Sequence, residues 1–302
     1  MNNSITYSIC PACHSTKINL VFTSRDYTVS QNNFQIFECS NCTLRFTQNV
    51  PNEENIANYY KHESYISHTN EAKGLINTLY HLVRNYTLIS KRKLISQFVK
   101  SSSKKILDIG AGTGYFLNEM KQNGWEVLGL EPSEDARKVA FTTHQIELKD
   151  SSNLNSLSKN YFAVITMWHV FEHVHKSKEY FEIMFDCLTE KGVLVIAVPN
   201  YTSKDAEIYE QKWAAYDVPR HVFHFSPQSL IQLAMQNGFS IKKIKPMWFD
   251  SFYVCMLSEK NSNGKLSISG FLRAVFIGFY SNLIALFNNQ KCSSLIYIFE
   301  KS

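Results

Sequence analysis

The sequence predicts an α/β fold, built on a doubly wound, mostly parallel sheet with a small zinc ribbon at its N-terminus. Three observations predict this fold. Two C-x-x-C pairs lie near the start of the chain, and from Lys104 onward short apolar runs alternate with amphipathic stretches, as in successive β-α-β units. A glycine-rich turn follows the first of these runs.

The N-terminal cysteines form two pairs, Cys10-Pro-Ala-Cys13 and Cys39-Ser-Asn-Cys42, separated by 25 residues. Two such pairs predict a tetrahedral structural zinc site with Cys10, Cys13, Cys39 and Cys42 as ligands. Four thiolates leave no open position for water, so this ion would stabilise the fold and take no part in catalysis. Chance pairing or a redox dithiol is the alternative.

The composition predicts a folded protein, and the first residues lead us to expect that it is cytoplasmic. Its 302 residues are 44 % hydrophobic and 19 % charged, enough for one substantial core with a small appendage. The start of the chain has no basic and apolar signal-peptide pattern. The net charge of +5 is dispersed, which disfavours a dedicated nucleic-acid surface.

The remaining elements follow in order from hydrophobic periodicity. A helix is expected from about Glu71 to Val99, with Ser101-Ser102-Ser103 as a linker after it. The expected strands are KILDIG, WEVLGLEP, QIELKD, FAVITMW, GVLVIAVPN and SSLIYIFEK. The expected helices are GYFLNEMKQNG, SEDARKVAFTTH, FEIMFDCL and FLRAVFIGFYSNLIALF, and MWFDSFYVCMLSEKN is expected to form a strand and a helix.

The glycine turn runs from Leu107 to Gly114 and is typical of nucleotide binding, with Glu131 placed 21 residues after Gly110 to bind ribose hydroxyls. Tyr115 stands where a dinucleotide fingerprint has its third glycine. The expected ligand therefore carries an adenosine-type ribose without a diphosphate, and NAD is the weaker alternative. Asp108 beside the turn indicates a cationic group on that ligand.

These residues resemble a known family. LDIGAGTGYFLNEMKQNGWEVLGLEPS is similar to motif I and the following acid of the class I S-adenosylmethionine (SAM)-dependent methyltransferases, in the branch of the ubiquinone-type O-methyltransferases. The similarity continues through WHVFEHV, KGVLVIAVPN and DVPRHVFHFSPQSLIQLAMQNGF, and so covers about Lys104 to Phe239. It implies a Rossmann-like sheet and SAM as the cofactor.

The resemblance also implies the cofactor contacts. The glycines let the backbone approach the methionine part of SAM, Asp108 lies near its amino group, Glu131 takes both ribose hydroxyls, and Asp150 faces the adenine edge. The implied set is Asp108, Gly110, Gly112, Gly114, Glu131, Asp150 and Met167. Residues 1–50 then form the zinc-ribbon module, 51–100 a helical linker and cofactor lid that includes Tyr59, Tyr60 and Tyr65, and 101–302 the methyltransferase domain.

The segment His169-Val-Phe-Glu172-His173 has the H-x-x-E-H spacing of inverted zinc peptidases. Because it follows the fourth strand of the expected domain, it should border the cofactor crevice, which disfavours a peptidase. Three interpretations stay open: pocket lining with helix-start hydrogen bonds, a histidine general base oriented by Glu172, or a divalent metal site. The last resembles the E-x-x-E-H segment of ubiquinone-type and small-RNA 2′-O-methyltransferases, with His169 in place of the first glutamate.

The loop after the fifth strand is long enough to form a second wall of the site. It supplies Arg220, His221 and His224 for anion contact or proton transfer, or alternatively an Asp217–Arg220 ion pair that fixes the loop. The expected catalytic candidates are His169, Glu172, His173, His221 and His224.

The apolar stretch 271–287 is short for a membrane span, and its small residues share one helical side. A helix covering the core is expected, with a homodimer contact or a weak membrane-surface contact as alternatives. The predicted function is methyl transfer from SAM to a small-molecule or sugar-type acceptor, such as an activated sugar or a cell-surface intermediate. An rRNA or tRNA methyltransferase and a non-catalytic scaffold are the alternatives.

Overall fold

The computed structural model describes residues 3–60, 75–99 and 103–302. The strands are β1 Ser4–Ile5, β2 Ile18–Arg25, β3 Asn33–Cys39, β4 Arg45–Thr47, β5 Val50–Pro51, β6 Lys105–Ile109, β7 Glu126–Leu130, β8 Phe162–Trp168, β9 Leu188–Pro199, β10 Phe223–His224, β11 Phe239–Pro246 and β12 Ser294–Lys301. The α-helices are α1 Leu75–Phe98, α2 Tyr115–Gln122, α3 Glu134–His144, α4 Ser177–Cys187, α5 Lys204–Tyr209, α6 Pro227–Gln236, α7 Asp250–Asn263 and α8 Ile268–Phe287.

The central sheet has six strands in the order β11-β12-β9-β8-β6-β7. Strands β6 to β9 are parallel, and β12 and β11 extend the sheet at one edge as two antiparallel strands. Every residue from Phe162 to Met167 in β8 is buried, which is expected of a strand covered by helices on both faces. The predicted doubly wound, mostly parallel sheet is confirmed.

The strand order fixes where a ligand belongs. Strands β6 and β8 are neighbours, paired from Ile106 with Val164 to Ile109 with Met167, although β7 comes between them in sequence. The order therefore reverses between them, and the crevice outside their carboxyl ends is the usual binding position in such sheets. The glycine turn and the H-x-x-E-H segment both lie at this crevice, because they follow β6 and β8 directly.

The N-terminal ribbon shares a sheet with the rest of the chain. This second sheet has the order β10-β4-β3-β2, so its outer strand comes from residues 223–224. Phe223 pairs with Phe46, and His224 pairs with Arg45. Backbone hydrogen bonds between β4 and β10 therefore join the cysteine-bearing segment to the rest of the chain, in addition to side-chain packing.

Two predicted strands are wrong. QIELKD makes a single parallel bridge, Lys149 with Leu130, and forms no strand, so β7 is the sheet edge among the described residues. The alternation of polar and apolar residues in QIELKD indicates that one side of the segment is buried. An extended segment at the sheet edge can bury that side without forming the hydrogen bonds of a strand. Residues 247–249 are a turn before α7, and the last long helix starts three residues before the expected 271, at Ile268.

Candidate functional site

The glycine turn after β6 adopts the left-handed backbone that only glycine takes without strain. Gly110, Gly112 and Gly114 have φ of 75°, 54° and 78°. A Cβ on Gly110 would lie 2.3 Å from Val170 Cγ2, whereas a Cβ on Gly112 would meet nothing within 4 Å. Gly110 thus allows close packing against the segment after β8. Gly112 borders open space, and its lack of a side chain leaves room for a ligand beside the backbone.

Glu131 closes the turn from the end of β7. Its Oε2 accepts a hydrogen bond from Gly112 N at 2.8 Å, and its Oε1 accepts one from Ser133 N at 2.9 Å. Burial raises the pKa of this carboxyl, while the two N–H groups oppose the rise. Each oxygen keeps a further lone pair for a ligand hydroxyl. Asp150 lies nearby, joined to Arg137 Nη1 at 2.9 Å, and the same Nη1 donates to Glu131 O at 2.5 Å.

Asp108 lies deeper in the same crevice, at the end of β6. Its Oδ1 accepts a hydrogen bond from Thr166 Oγ1 at 2.5 Å. Burial raises the pKa of Asp108 to about 7, and the nearby Lys91 ammonium opposes this rise. Lys91 Nζ lies 4.1 Å from the centroid of the Trp168 ring, a cation–π distance. Helix α1 therefore places a cation against the cofactor end of the crevice.

Met167 is placed differently from the other predicted cofactor residues. It lies in β8 with no exposed surface and packs in the hydrophobic core. Its side chain therefore offers no surface to a ligand in this structure. The next residue, Trp168, is half-buried and faces Lys91 and Phe116.

The segment after β8 turns sharply at His169, whose φ is 57°. Its Nε2 lies 2.9 Å from Asp250 Oδ2, and its Nδ1 lies 3.4 Å from Glu172 Oε1. Burial disfavours the charged imidazole, but the hydrogen bonds to Asp250 and then Glu172 outweigh it and raise the pKa of His169 to about 10. His169 is thus a cation between two acids at neutral pH.

Glu172, His173 and His221 form a cluster whose donor atoms lie within 4.8 Å of one another. The side chain of Glu172 is only 1 % exposed, and among the described residues its carboxylate makes the 3.4 Å ion pair with His169 Nδ1 and no closer hydrogen bond. His173 Nδ1 lies 3.0 Å from Arg220 O, and His221 Nδ1 lies 2.8 Å from Ala215 O. The carbonyl on His221 Nδ1 makes that atom the donor and leaves Nε2 of His221 as the acceptor or ligand atom. His173 Nδ1 contacts the Tyr60 hydroxyl at 2.9 Å as well as the carbonyl.

A cavity of about 590 Å³ opens beside this cluster. His169, Glu172 and His221 line its floor. The ribbon contributes Ser24, Arg25, Tyr27 and Thr28, the loop after β9 contributes residues 213–221, and α7 contributes Asp250, Tyr253, Val254, Leu257, Lys260 and Asn261. Its size is that of a small-molecule site.

Two loop residues have structural contacts. The buried guanidinium of Arg220 binds both oxygens of Asp217, at 2.9 and 2.5 Å, and reaches Asp26 at 3.2 Å. The alternative ion-pair prediction for Arg220 is confirmed. His224 Nε2 contacts Thr47 Oγ1 at 3.2 Å within the shared sheet, away from the cavity lining. Its imidazole is therefore placed to support the ribbon.

The four N-terminal cysteines fit a tetrahedral zinc ion. All four sulfurs lie within 4.8 Å of one another, with Cys10 to Cys42 and Cys13 to Cys39 each at 3.5 Å. Zinc–thiolate bonds of about 2.3 Å require sulfurs roughly 3.8 Å apart. The residues after each pair, His14 and Thr43, have φ of 58° and 60°, so the two knuckles have matching backbones.

Sequence reasoning missed Lys91 and Asp250. The available signal for Lys91 was its position between Leu88 and Ile95, which lie on the packed side of α1. A lysine on an apolar stripe indicates a buried partner. Asp250 gave no such signal, because its partner His169 is distant in sequence.

Tyr60 was predicted to cover the cofactor, and its hydroxyl lies 2.9 Å from His173 Nδ1. Tyr65 lies outside the described residues.

The parallel sheet, its glycine turn and the acid at the end of the next strand define a class I methyltransferase fold. A family model described as a methyltransferase domain matches residues 80–244, more than half of the chain. The chain belongs to this methyltransferase family, and it is a SAM-dependent methyltransferase.

Individual relatives agree with this assignment. The ubiquinone biosynthesis O-methyltransferase of Pelagibacter ubique is 29 % identical over 178 residues, covering 53 % of this chain and 74 % of the relative. That of Glaesserella parasuis is 28 % identical over 158 residues, covering 47 % and 67 %. A SAM-dependent methyltransferase structure from Archaeoglobus fulgidus shares the fold, with a TM-score of 0.50, 23 % identity and coverage of 72 % of this chain and 94 % of that one.

Proposed function

We propose that this enzyme methylates a small polar acceptor, such as a metabolite, an activated sugar or a cell-surface intermediate. The observation that supports this most is the cavity of about 590 Å³ beside His221 and Glu172. Two of its lining residues, His169 and Glu172, belong to the segment whose Val170 packs on Gly110 of the glycine turn. A cavity of this volume suits a single small molecule better than a nucleic acid, which requires an extended basic face.

The cavity walls favour an acceptor that carries a negative group. Arg25 from the ribbon and Lys260 from α7 line the cavity, and both are exposed to solvent at its boundary. Tyr27 and Tyr253 add aromatic surface that stacks on sugar or ring substrates. A phosphate or carboxylate on the acceptor would pair with the two cations.

SAM, when bound, would supply a methyl group on its sulfonium: a bond from the acceptor to the methyl carbon would form as the carbon–sulfur bond breaks, with S-adenosylhomocysteine (SAH) as the product. For a hydroxyl acceptor, His221 takes the released proton at Nε2, because Ala215 O fixes its Nδ1 as the donor. Glu172 stabilises the imidazolium that results. The ribbon and α7 exclude water from the reacting atoms.

The same three side chains fit a divalent ion. The buried carboxylate of Glu172, whose described contact is the 3.4 Å ion pair with His169, and the imidazole nitrogens of His173 and His221 form a mixed oxygen and nitrogen donor set. An ion held by Glu172, His173 and His221 would supply Lewis acidity toward an acceptor hydroxyl. Plasma mass spectrometry distinguishes the metal site from the metal-free general base. A second metal that is present in the unaltered enzyme and lost in Glu172→Gln would favour the metal site.

The test is transfer of labelled methyl groups. The purified enzyme would be given methyl-tritiated SAM with a polar metabolite extract, a lipid extract and total RNA in separate reactions. We expect label in the metabolite or lipid fraction, lowered roughly 100-fold or more by His221→Asn with SAH affinity unchanged. His175→Asn is the matched control, because His175 contacts Pro51 O and does not line the cavity. Label in RNA alone would contradict the proposal.

A further inference from the structure

Helix α8 turns its most apolar side chains away from the protein. Phe276 and Phe279 are 69 % and 61 % exposed. Residues spaced three or four apart continue this outward face, which consists of Ile268, Leu272, Val275, Phe276, Phe279, Leu283, Leu286 and Phe287. A helix on the surface of a water-soluble domain has the opposite arrangement, with its polar side outward.

The inward face of α8 consists of small residues and is firmly packed. Ala274, Gly278, Ser281 and Ala285 are buried. A Cβ on Gly278 would lie 2.9 Å from the Phe252 ring, and Ser281 Oγ donates to Asp205 Oδ1 at 2.7 Å. The small residues let the helix approach its neighbours closely, so the large side chains outside are not needed for this chain's own core.

The packing determines how α8 relates to a bilayer. It is the one helix among the described residues that is long and apolar enough to cross a membrane by length and composition. Crossing would break the hydrogen bond from Asn282 Nδ2 to Trp248 O at 2.7 Å and the ion pair of Arg273 with Glu259 at 3.1 Å. The helix therefore keeps its inner side on α7 and presents only its outer side.

The charges around α8 identify the partner. Between Glu259 and Glu300 the chain contains four cations, Lys260, Lys265, Arg273 and Lys291, and no acid. Arg273 is paired with Glu259, so the three lysines supply the positive charge near this face. Anionic phospholipids attract such a stretch, and basic residues beside an apolar helical face are typical of helices that lie in the headgroup region. A two-fold dimer through this face would bring equal cations together without an acid from the same stretch.

We propose that α8 docks on the surface of an anionic lipid bilayer. The outward aromatic and aliphatic side chains enter the boundary between headgroups and acyl chains, while Lys265 and Lys291 contact lipid phosphates. This inference stands on the surface of the enzyme alone and does not depend on which acceptor it methylates.

The experiment is co-sedimentation of the full-length, zinc-loaded chain with vesicles. One set contains phosphatidylcholine alone, and the other contains phosphatidylcholine with phosphatidylglycerol. We expect sedimentation with the anionic vesicles, weakened roughly 100-fold by Phe276→Ser with Phe279→Ser. Lys265→Gln with Lys291→Gln should weaken it about 30-fold, at about 1 kcal/mol for each cation.

Met235→Ser is the control, because Met235 on α6 is 62 % exposed but lies outside the outward face. It should sediment like the unaltered chain, and circular dichroism should show that all variants are folded. The proposal is overturned by a chain that stays in solution with anionic vesicles, or by equal binding in the paired phenylalanine variant. It is also overturned if light scattering finds a dimer that this variant dissociates.

Discussion

Replacing Glu131 with glutamine tests the cofactor site most directly. The carboxylate is buried at the end of β7 and is held by Gly112 N and Ser133 N at 2.8 and 2.9 Å. The substitution keeps the shape of the side chain but removes its charge and one acceptor oxygen. The remaining amide oxygen satisfies only one of the two N–H groups, so a modest loss of stability accompanies any loss of binding.

The expected loss of affinity follows from the hydrogen bonds of a charged acceptor. Each such bond contributes about 1.5–3 kcal/mol. Losing one ribose bond and the charge on the other removes roughly 2–4 kcal/mol, which is about 30- to 1,000-fold in Kd. Isothermal titration with SAH measures this change without an acceptor.

A matched variant separates this effect from general electrostatics. Glu134 lies three residues further along the chain, is 71 % exposed at its side chain and pairs with Lys138 at 2.8 Å. Glu134→Gln should bind SAH as the unaltered enzyme does. Unchanged SAH affinity in Glu131→Gln, with a normal melting curve, would refute the assignment of Glu131 to the ribose.

Three further predictions concern the turn, the ribbon and the loop. Gly112→Ala should cost only about 1 kcal/mol of backbone strain, yet calorimetry should show at least tenfold weaker binding of SAH. Gly110→Ala should chiefly lower Tm, because its Cβ would clash with Val170. Equal melting temperatures for the two variants would contradict this prediction. Plasma mass spectrometry should find one ribbon zinc per chain, which Cys42→Ser loses; retention of that zinc would exclude the four-cysteine site. Arg220→Met should lower the free energy of unfolding by about 3–5 kcal/mol in urea, because it removes the buried cation that pairs with Asp217 and Asp26. A loss below about 1 kcal/mol would mean that these pairs are not stabilising.

Local patterns were enough to predict the sheet and the turn. The apolar runs around Leu107, Ile165 and Val195 have the composition of strands buried on both faces, and the three glycines after the first run require a left-handed backbone. The position of the H-x-x-E-H segment beside the turn followed from the strand order alone. Both predictions depend on regularities that operate within about ten residues or on general rules of sheet topology.

The contacts that complete the site were beyond the reach of such patterns. His169 contacts Asp250, which lies 81 positions later in the sequence. The cluster with Glu172 and His173 includes His221, 48 positions after His173. The polarity of these residues does not predict which distant residues they contact. QIELKD shows the opposite error, a strand that was predicted but does not form. Its alternating pattern is typical of a strand, but the segment makes only one bridge to the edge of the sheet.

The shared sheet links the zinc ribbon to the chemistry of the pocket. Thr47, in the ribbon, donates its hydroxyl hydrogen to His221 O at 2.7 Å, and its backbone N donates to Val222 O at 2.9 Å. The backbone of the proposed base is thus held by a strand whose own position depends on the cysteine knuckles. Since the ribbon also lines the cavity with Arg25 and Tyr27, removing its metal should disturb acceptor binding and proton transfer while Glu131 and the glycine turn still bind SAH. A zinc ion with no open coordination position would therefore affect turnover through the packing that it maintains.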